Sequence, residues 1–140
     1  MVSEREAEPF DPLSDDIWYL DTESIYDNGD YRRIAERMRG LAGGDLPIEQ
    51  VEDYVDMETN EAWLSFKLDE ALTKWEAELN DDWLDSSIMT RFSQLLIDRG
   101  AGSRYTIVDF EGQDCLIGCS TPGKLDALRR LTGLPFQWLT

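Results

Sequence analysis

The fold depends most on the stretch from Leu46 to Leu79, because it is long enough for several strands or helices. Its apolar residues fit both the two-residue period of a strand and the roughly 3.6-residue period of a helix. Between Leu64 and Leu68, apolar and polar side chains alternate, which is typical of a strand with one buried face. Helical spacing fits the same region through four apolar residues: Leu68, Leu72, Trp75 and Leu79. We predict three antiparallel strands at roughly 49–57, 61–68 and 73–79, and the helical alternative stays open.

Three other stretches have helical periodicity and recognisable ends. The first spans roughly 31–41, with Asp30 as its expected cap. The second is marked by apolar residues from Leu84 to Leu96 and ends at Gly100. The third is capped by Thr121, has a proline at its first position, where a missing N–H group is tolerated, and stops at Gly133.

The remaining apolar runs predict strands. Residues 17–20 form a short run that suits an edge strand, and the runs at 104–110 and 114–119 predict a hairpin. The expected fold class is therefore α+β: a single domain over 15–140, with an antiparallel sheet of about five strands and about three helices packed on it. Residues 1–14 are acidic and rich in proline and serine, which predicts a flexible acidic leader.

The net charge of −17 is the strongest compositional signal in the 140 residues. Residues 40–90 carry fourteen acidic and two basic side chains, a net charge of −12, whereas residues 31–39 carry +3. A nucleic-acid-binding protein needs a basic footprint, and anionic lipid surfaces attract basic segments as well. We therefore expect neither nucleic acid nor membrane as partner, and we expect a basic protein.

Both cysteines are expected to be reduced. Cys115 and Cys119 fall on one predicted strand, where four residues span about 13 Å. A disulfide needs Cα atoms within about 7 Å, so the pair cannot bridge there. No apolar run approaches the roughly 20 residues that cross a bilayer, and the N-terminus has no apolar signal core. These features favour a cytoplasmic protein.

Catalytic and metal-binding patterns are weak. The chain has no histidine, which removes the commonest general base and the commonest metal ligand. Residues 81–85 match D-D-x-x-D, the magnesium-binding pattern of isoprenoid enzymes, but the chain lacks the second acidic motif and the basic residues that accompany it. Two cysteines without histidine make a poor zinc site. We expect no catalytic residues, no metal and no cofactor.

The segment KWEAELNDDWLDSS, residues 74–87, holds five carboxylates and two tryptophans. Asp82, followed three residues later by Asp85, resembles a capping arrangement at a helix start, so folding explains part of the cluster. Folding does not require the other acids there or on the preceding hairpin. We predict that this surplus binds the partner, with Trp83 as an anchor or a core residue. The predicted binding residues are Asp53, Asp56, Glu76, Glu78, Asp81, Asp82 and Trp83.

Several stretches between roughly residues 50 and 140 together resemble small immunity proteins encoded beside bacterial polymorphic toxins, such as those of contact-dependent inhibition or type VI secretion. The matching pieces are 62–66 (AWLSF), 75–85 (ending in DDWLD), 104–105 with 112–114, and 131–133 with 138–139. The resemblance implies a cytoplasmic, non-catalytic protein that binds a cognate toxin domain and blocks its active site. An acidic inhibitor would meet a basic nuclease with complementary charge.

Three other functions remain open. The chain could be an acidic mimic of nucleic acid, or an adaptor that binds another basic protein. A mimic should carry carboxylates in rows with phosphate-like spacing, whereas a toxin inhibitor should present an irregular acidic pocket with aromatic residues. A small acidic enzyme is the third possibility, and a cleft with strongly shifted carboxyl pKa values would identify it.

Overall fold

The computed structural model describes residues 17–110 and 112–139. The predicted leader, residues 1–14, lies outside the described residues. The helices are α1 (Asp30–Ala42), α2 (Ser86–Asp98) and α3 (Pro122–Thr132), with a short 3₁₀ helix at Gly43–Asp45. The strands are β1 (Ile17–Asp21), β2 (Glu49–Asp56), β3 (Glu61–Leu68), β4 (Ala71–Ala77), β5 (Arg104–Asp109), β6 (Asp114–Ser120) and β7 (Gln137–Trp138).

The α+β class and the three helices are confirmed, but the strands form two antiparallel sheets rather than one. One sheet has three strands in the order β2-β3-β4, and the other has four in the order β1-β6-β5-β7. The predicted hairpin is the β5–β6 pair. The described residues form seven strands rather than about five. The predicted edge strand at 17–20 is β1, which pairs with β6 at the edge of its sheet, and the short β7, which was not predicted, pairs with β5.

The segment with two possible periods forms strands, so the helical alternative is wrong. Consecutive residues pair from Ala62 with Ala77 to Leu68 with Ala71. The turn between β3 and β4 has only two residues, Asp69 and Glu70, both with positive φ (52° and 70°). Positive φ at both positions is what a tight type I′ hairpin turn requires. This turn places β4 at 71–77, two residues earlier than predicted.

Two of the predicted helix caps are displaced. Gly29, with φ of 99°, occupies the N-cap position of α1. Asp30 is the first helical residue, and its carboxylate accepts hydrogen bonds from the N–H groups of Tyr26 (2.8 Å) and Asp27 (3.1 Å). At α2 the N-cap is Asp85 rather than Asp82, and its carboxylate accepts a bond from the N–H of Ser87 at 3.0 Å. Asp30 therefore closes the preceding turn, and α2 begins only at Ser86.

One cluster of buried side chains joins both sheets. It contains the inward residues of β3, residues of α1 and α2, and one face of the four-stranded sheet. The Phe92 ring of α2 lies against the rings of Phe66 and Trp75, with centroid distances of 6.0 Å and 4.9 Å. A second cluster, which includes Phe136, packs α3 against the opposite face of the four-stranded sheet.

The two cysteines lie on β6 as predicted. Both are buried, and neither forms a disulfide. Burial raises the pKa of the Cys115 thiol to about 11, so the thiolate is scarce at neutral pH. Within residues 17–110 and 112–139, no helix is both long and apolar enough to cross a bilayer.

Candidate protein-binding surface

The register of the three-stranded sheet sorts its residues onto two faces. Residues of β3 at even positions, from Ala62 to Leu68, are buried against the helices. The odd positions, from Glu61 to Lys67, therefore point to the other side. Directly paired residues share a face, so the pairing of β2 and β4 with these odd positions defines an outer face. Its members are Glu49, Glu52, Tyr54, Asp56, Glu61, Trp63, Ser65, Lys67, Leu72, Lys74 and Glu76.

An aromatic pair occupies the middle of this outer face. Tyr54 and Trp63 are direct cross-strand partners, and their rings stack with centroids 6.1 Å apart and an interplanar angle of 21°. Nζ of Lys74 lies 4.7 Å from the centroid of the Trp63 ring, which is cation–π geometry. Both aromatic side chains remain partly exposed. Apolar area is therefore accessible at the centre of an otherwise polar face.

Carboxylates surround the aromatic pair. The outer face carries five acidic side chains and two lysines: Glu49, Glu52, Asp56, Glu61 and Glu76, with Lys67 and Lys74. The Glu76 side chain is 72% exposed and lies 3.7 Å from the Lys74 ammonium. Hydrogen bonds from the Tyr54 hydroxyl (3.0 Å) and then from the N–H of Glu58 lower the pKa of Asp56 below its ordinary value. Asp56 is therefore ionised at neutral pH.

Of the predicted binding residues, Asp56 and Glu76 lie on the outer face, but Asp53 does not. Asp53 is three residues from Asp56 in a strand, so the two side chains point to opposite sides. The carboxylate of Asp53 accepts hydrogen bonds from the N–H of Gly29 (2.9 Å to each oxygen) and the N–H of Arg32 (3.0 Å). Asp53, on the neighbouring strand β2, therefore accepts hydrogen bonds from N–H groups at the start of α1 that have no partner inside the helix.

The other predicted residues follow β4. Glu78 is exposed just beyond the strand, and Asp81 is exposed in the next turn with φ of 51°. Asp82 is partly exposed, and its carbonyl accepts a bond from the N–H of Ile25 at 3.0 Å. Repulsion from the Asp82 carboxylate, with some burial, raises the pKa of Glu23 above its ordinary value. Asp82 thus belongs to a second acidic area, apart from the aromatic pair.

Trp83 lies between the two roles predicted for it. Its side chain is 36% exposed, and its backbone bridges Glu23 and Asn80. It also borders an apolar cavity of about 240 Å³, whose lining includes Leu84 and Met89. The connection between β4 and α2 therefore holds Trp83 as a partly exposed wall of this cavity.

The D-D-x-x-D pattern is not assembled as a metal site. Asp85 accepts bonds from two backbone N–H groups, those of Glu78 (2.8 Å) and Ser87 (3.0 Å). No group of three or more His, Cys, Asp or Glu residues is placed to hold a metal ion in the part of the chain that the structure describes. Partial burial raises the pKa of Asp85, but the hydrogen bonds from Glu78 and Ser87, together with the positive charge of Arg91, outweigh it and lower the pKa below its ordinary value.

Sequence reasoning missed the aromatic centre of the outer face. Neither Tyr54 nor Trp63 was among the predicted binding residues, although the signal is present in the strand pattern. Once Leu64 and Phe66 are taken as buried, Trp63 must share the face of Glu61 and Ser65. An outward tryptophan paired with Tyr54 on the neighbouring strand is the pattern that predicts an aromatic pair on this face.

Comparison with known proteins identifies no relative. No family model, no curated protein and no solved structure matches this chain significantly.

Proposed function

We propose that this chain is an immunity protein that binds the basic domain of a cognate toxin and blocks its active site, acting in the cytoplasm. The observation that carries the proposal is the outer face of the three-stranded sheet, where the Tyr54–Trp63 pair lies among five carboxylates. The resemblance of residues 50–140 to immunity proteins points to the same function.

The arrangement has the chemistry of a tight protein interface. Interfaces draw most of their binding free energy from a few aromatic anchors that partner residues shield from water. A surrounding polar rim contributes orientation, and complementary charge speeds association with a basic partner. Tyr54 and Trp63 supply the anchors, and side chains such as Glu52, Glu61 and Glu76 supply the rim.

The same observation favours a toxin inhibitor over a mimic of nucleic acid. Lys67 and Lys74 interrupt the acidic residues of the outer face, and Lys74 contacts the Trp63 ring. A mimic would need an uninterrupted row of negative charge at phosphate spacing. A small acidic enzyme should have carboxyls with shifted pKa in a cleft. The three such carboxyls, Glu23, Asp56 and Asp85, line neither the cavity bordered by Trp83 nor the cavity of about 570 Å³ beside Lys124, so these two cavities do not support an enzyme.

The test is co-expression with the protein encoded by the neighbouring reading frame, followed by measurement of cell growth and of binding. We expect growth to be rescued by the wild-type chain. We expect Trp63→Ala to weaken binding about 30-fold, which corresponds to about 2 kcal/mol for an aromatic anchor.

Two charge reversals distinguish a specific contribution of the outer face to binding from a general effect of net charge. Glu76→Lys and Asp126→Lys change the net charge equally, and both side chains are exposed (72% and 77%). Only Glu76→Lys should weaken binding strongly, because Asp126 lies on α3. Equal losses would mean that net charge alone acts, and growth arrest despite co-expression of the wild-type chain would refute the proposal.

A further inference from the structure

Among the described residues, no strand pairs with the far edge of β4, so this edge has backbone groups without a strand partner. Leu68 and Ala71 flank a two-residue turn, so they form a hydrogen-bonded pair, and every second residue of β4 bonds to β3. The backbone N–H and C=O groups that point toward β3 are therefore those of Ala71, Thr73, Trp75 and Ala77. The N–H and C=O groups of Leu72, Lys74 and Glu76 point away from the sheet.

The opposite edge of the sheet is closed. The outward N–H of Val55 on β2 donates to Oδ1 of Asn28 at 2.7 Å. Nearby, the Asp53 carboxylate binds the start of α1, and Gln50, with φ of 53°, interrupts the regular pairing of β2. Bulges and side-chain caps of this kind prevent another strand from pairing. An additional strand can therefore join this sheet only along β4.

Part of the β4 edge is also occupied, which defines the open part. Arg91 donates to the carbonyl of Glu76 at 3.4 Å, and the N–H of Glu78 donates to Asp85 at 2.8 Å. No hydrogen bond within the described ranges uses the outward groups of Leu72 and Lys74. These two residues thus offer two donors and two acceptors in strand geometry.

The side chains along this edge specify an occupant. Leu72 is 76% exposed, more than any other large hydrophobic residue that the structure describes. Lys74 and Glu76 follow it on the outer face, next to Trp63. A strand added here would place alternate side chains beside these three, as a fourth row of the outer face. An apolar side chain suits the position beside Leu72, and a basic one suits the position beside Glu76.

We infer that the partner binds by adding an extended segment to β4, with backbone hydrogen bonds to Leu72 and Lys74. The segment carries an apolar residue beside Leu72 and, four residues away, a basic residue beside Glu76. This inference rests on the proposed function, since it describes how the basic toxin domain engages the outer face. A second copy of the chain fits less well, because each copy has a net charge of −17 and like charges oppose pairing.

Amide hydrogen exchange of the full chain tests the inference directly, with and without the protein encoded by the neighbouring reading frame, which is the candidate toxin. The amides of Leu72 and Lys74 should exchange quickly in the free chain and become protected in the complex. Those of Thr73 and Trp75, which bond to β3, are internal references that should be protected in both states.

A matched pair of variants measures the contribution of the edge. Leu72→Pro and Leu72→Ala both remove the leucine side chain, but only proline removes the outward N–H group. Proline is tolerated at an edge position whose N–H faces solvent. We expect Leu72→Pro to bind the toxin domain at least about tenfold more weakly than Leu72→Ala. The circular dichroism spectrum of each variant checks its fold. If Leu72→Pro does not fold, amide exchange in the wild-type complex alone tests strand addition.

The outcomes separate this inference from the proposed function. Tight binding without protection of Leu72 and Lys74, or with equal affinity of the two folded variants, overturns strand addition and leaves the immunity function standing. Dimers of the free chain that protect the same amides also overturn it, because a second copy would then occupy the edge. Absence of binding by the wild-type chain refutes both.

Discussion

Asp53 holds the N-terminus of α1 from a neighbouring strand, a role that a local sequence window does not contain. Its carboxylate lies 2.9 Å from the N–H of Gly29, a residue 24 positions earlier in the chain. The first N–H groups of a helix have no partners inside the helix, and an unsatisfied buried donor costs about 1–3 kcal/mol. The acidic surplus of residues 40–90 therefore includes at least one carboxylate that folding requires.

Replacing Asp53 should destabilise the fold while replacing its neighbour should not. We expect Asp53→Ala to lower the free energy of unfolding by about 1–2 kcal/mol, the usual contribution of a helix cap. Glu52→Ala is the matched control, since Glu52 is exposed on the outer face and should change stability by less than about 0.5 kcal/mol. Urea unfolding of both variants measures the difference, and equal stabilities would show that Asp53 is not a cap.

At the scale of single elements, the sequence predicted the helices, every strand except the short β7, and both ends of α3, which are Thr121 and Gly133. It did not predict the N-caps of α1 and α2. The alternation at 64–68 and the helical spacing at 31–41 are local patterns, so β3 and α1 were predictable. The caps of α1 and α2 depend on distant groups and on where each turn ends. The division into two sheets was likewise hidden, because the β1–β6 pair joins residues about a hundred positions apart.

The same limit applies to the candidate surface. Asp56 and Glu76 were predicted from the excess of acids, and both lie on the outer face. Asp53 was grouped with them although a separation of three residues reverses the face of a strand. Strand parity would have excluded Asp53 and selected Trp63, but parity becomes usable only once the strands are certain. The period of residues 46–79 was the ambiguity that the sequence left open.

Asp85 connects β4 to α2 and should make their junction sensitive to acid. Its two oxygens accept from two N–H groups, those of Glu78 and Ser87, and these bonds lower its pKa below the ordinary value. A lowered pKa in the folded state gives stability above the pKa of the unfolded state, and this stability is lost as pH falls through the folded value.

We therefore expect Asp85→Asn to be less stable than the wild type at pH 7, by about 1 kcal/mol, because an amide has only one accepting oxygen. The difference should begin to shrink as pH falls below about 4, the ordinary pKa of an unfolded aspartate, and should keep shrinking until the folded Asp85 carboxylate, whose pKa is lower, is protonated. Unfolding free energies between pH 7 and pH 2.5 measure this, with Asp81→Asn as an exposed control. A difference that stays constant with pH would contradict the assignment.

At the scale of the whole molecule, charge is segregated rather than uniformly spread. The arginines of α1 are partly neutralised, since Arg32 pairs with Glu36 (3.3 Å) and Arg33 with Asp30 (3.0 Å). The outer face keeps most of its carboxylates exposed, and only two lysines oppose them. Such a distribution attracts a cationic partner over distances of about one Debye length, roughly 10 Å at 0.1 M salt.

Salt should therefore act on the rate of association. Between 50 mM and 500 mM NaCl, we expect the association rate with the basic partner to fall at least about tenfold, because screening removes the long-range attraction. The dissociation rate should change little, since the contacts around Trp63 are short-range. Trp63→Ala should instead dissociate faster than the wild type. The salt dependence of its association rate should be similar to that of the wild type. Stopped-flow measurement of both rates tests this, and an association rate independent of salt would refute electrostatic steering by the outer face.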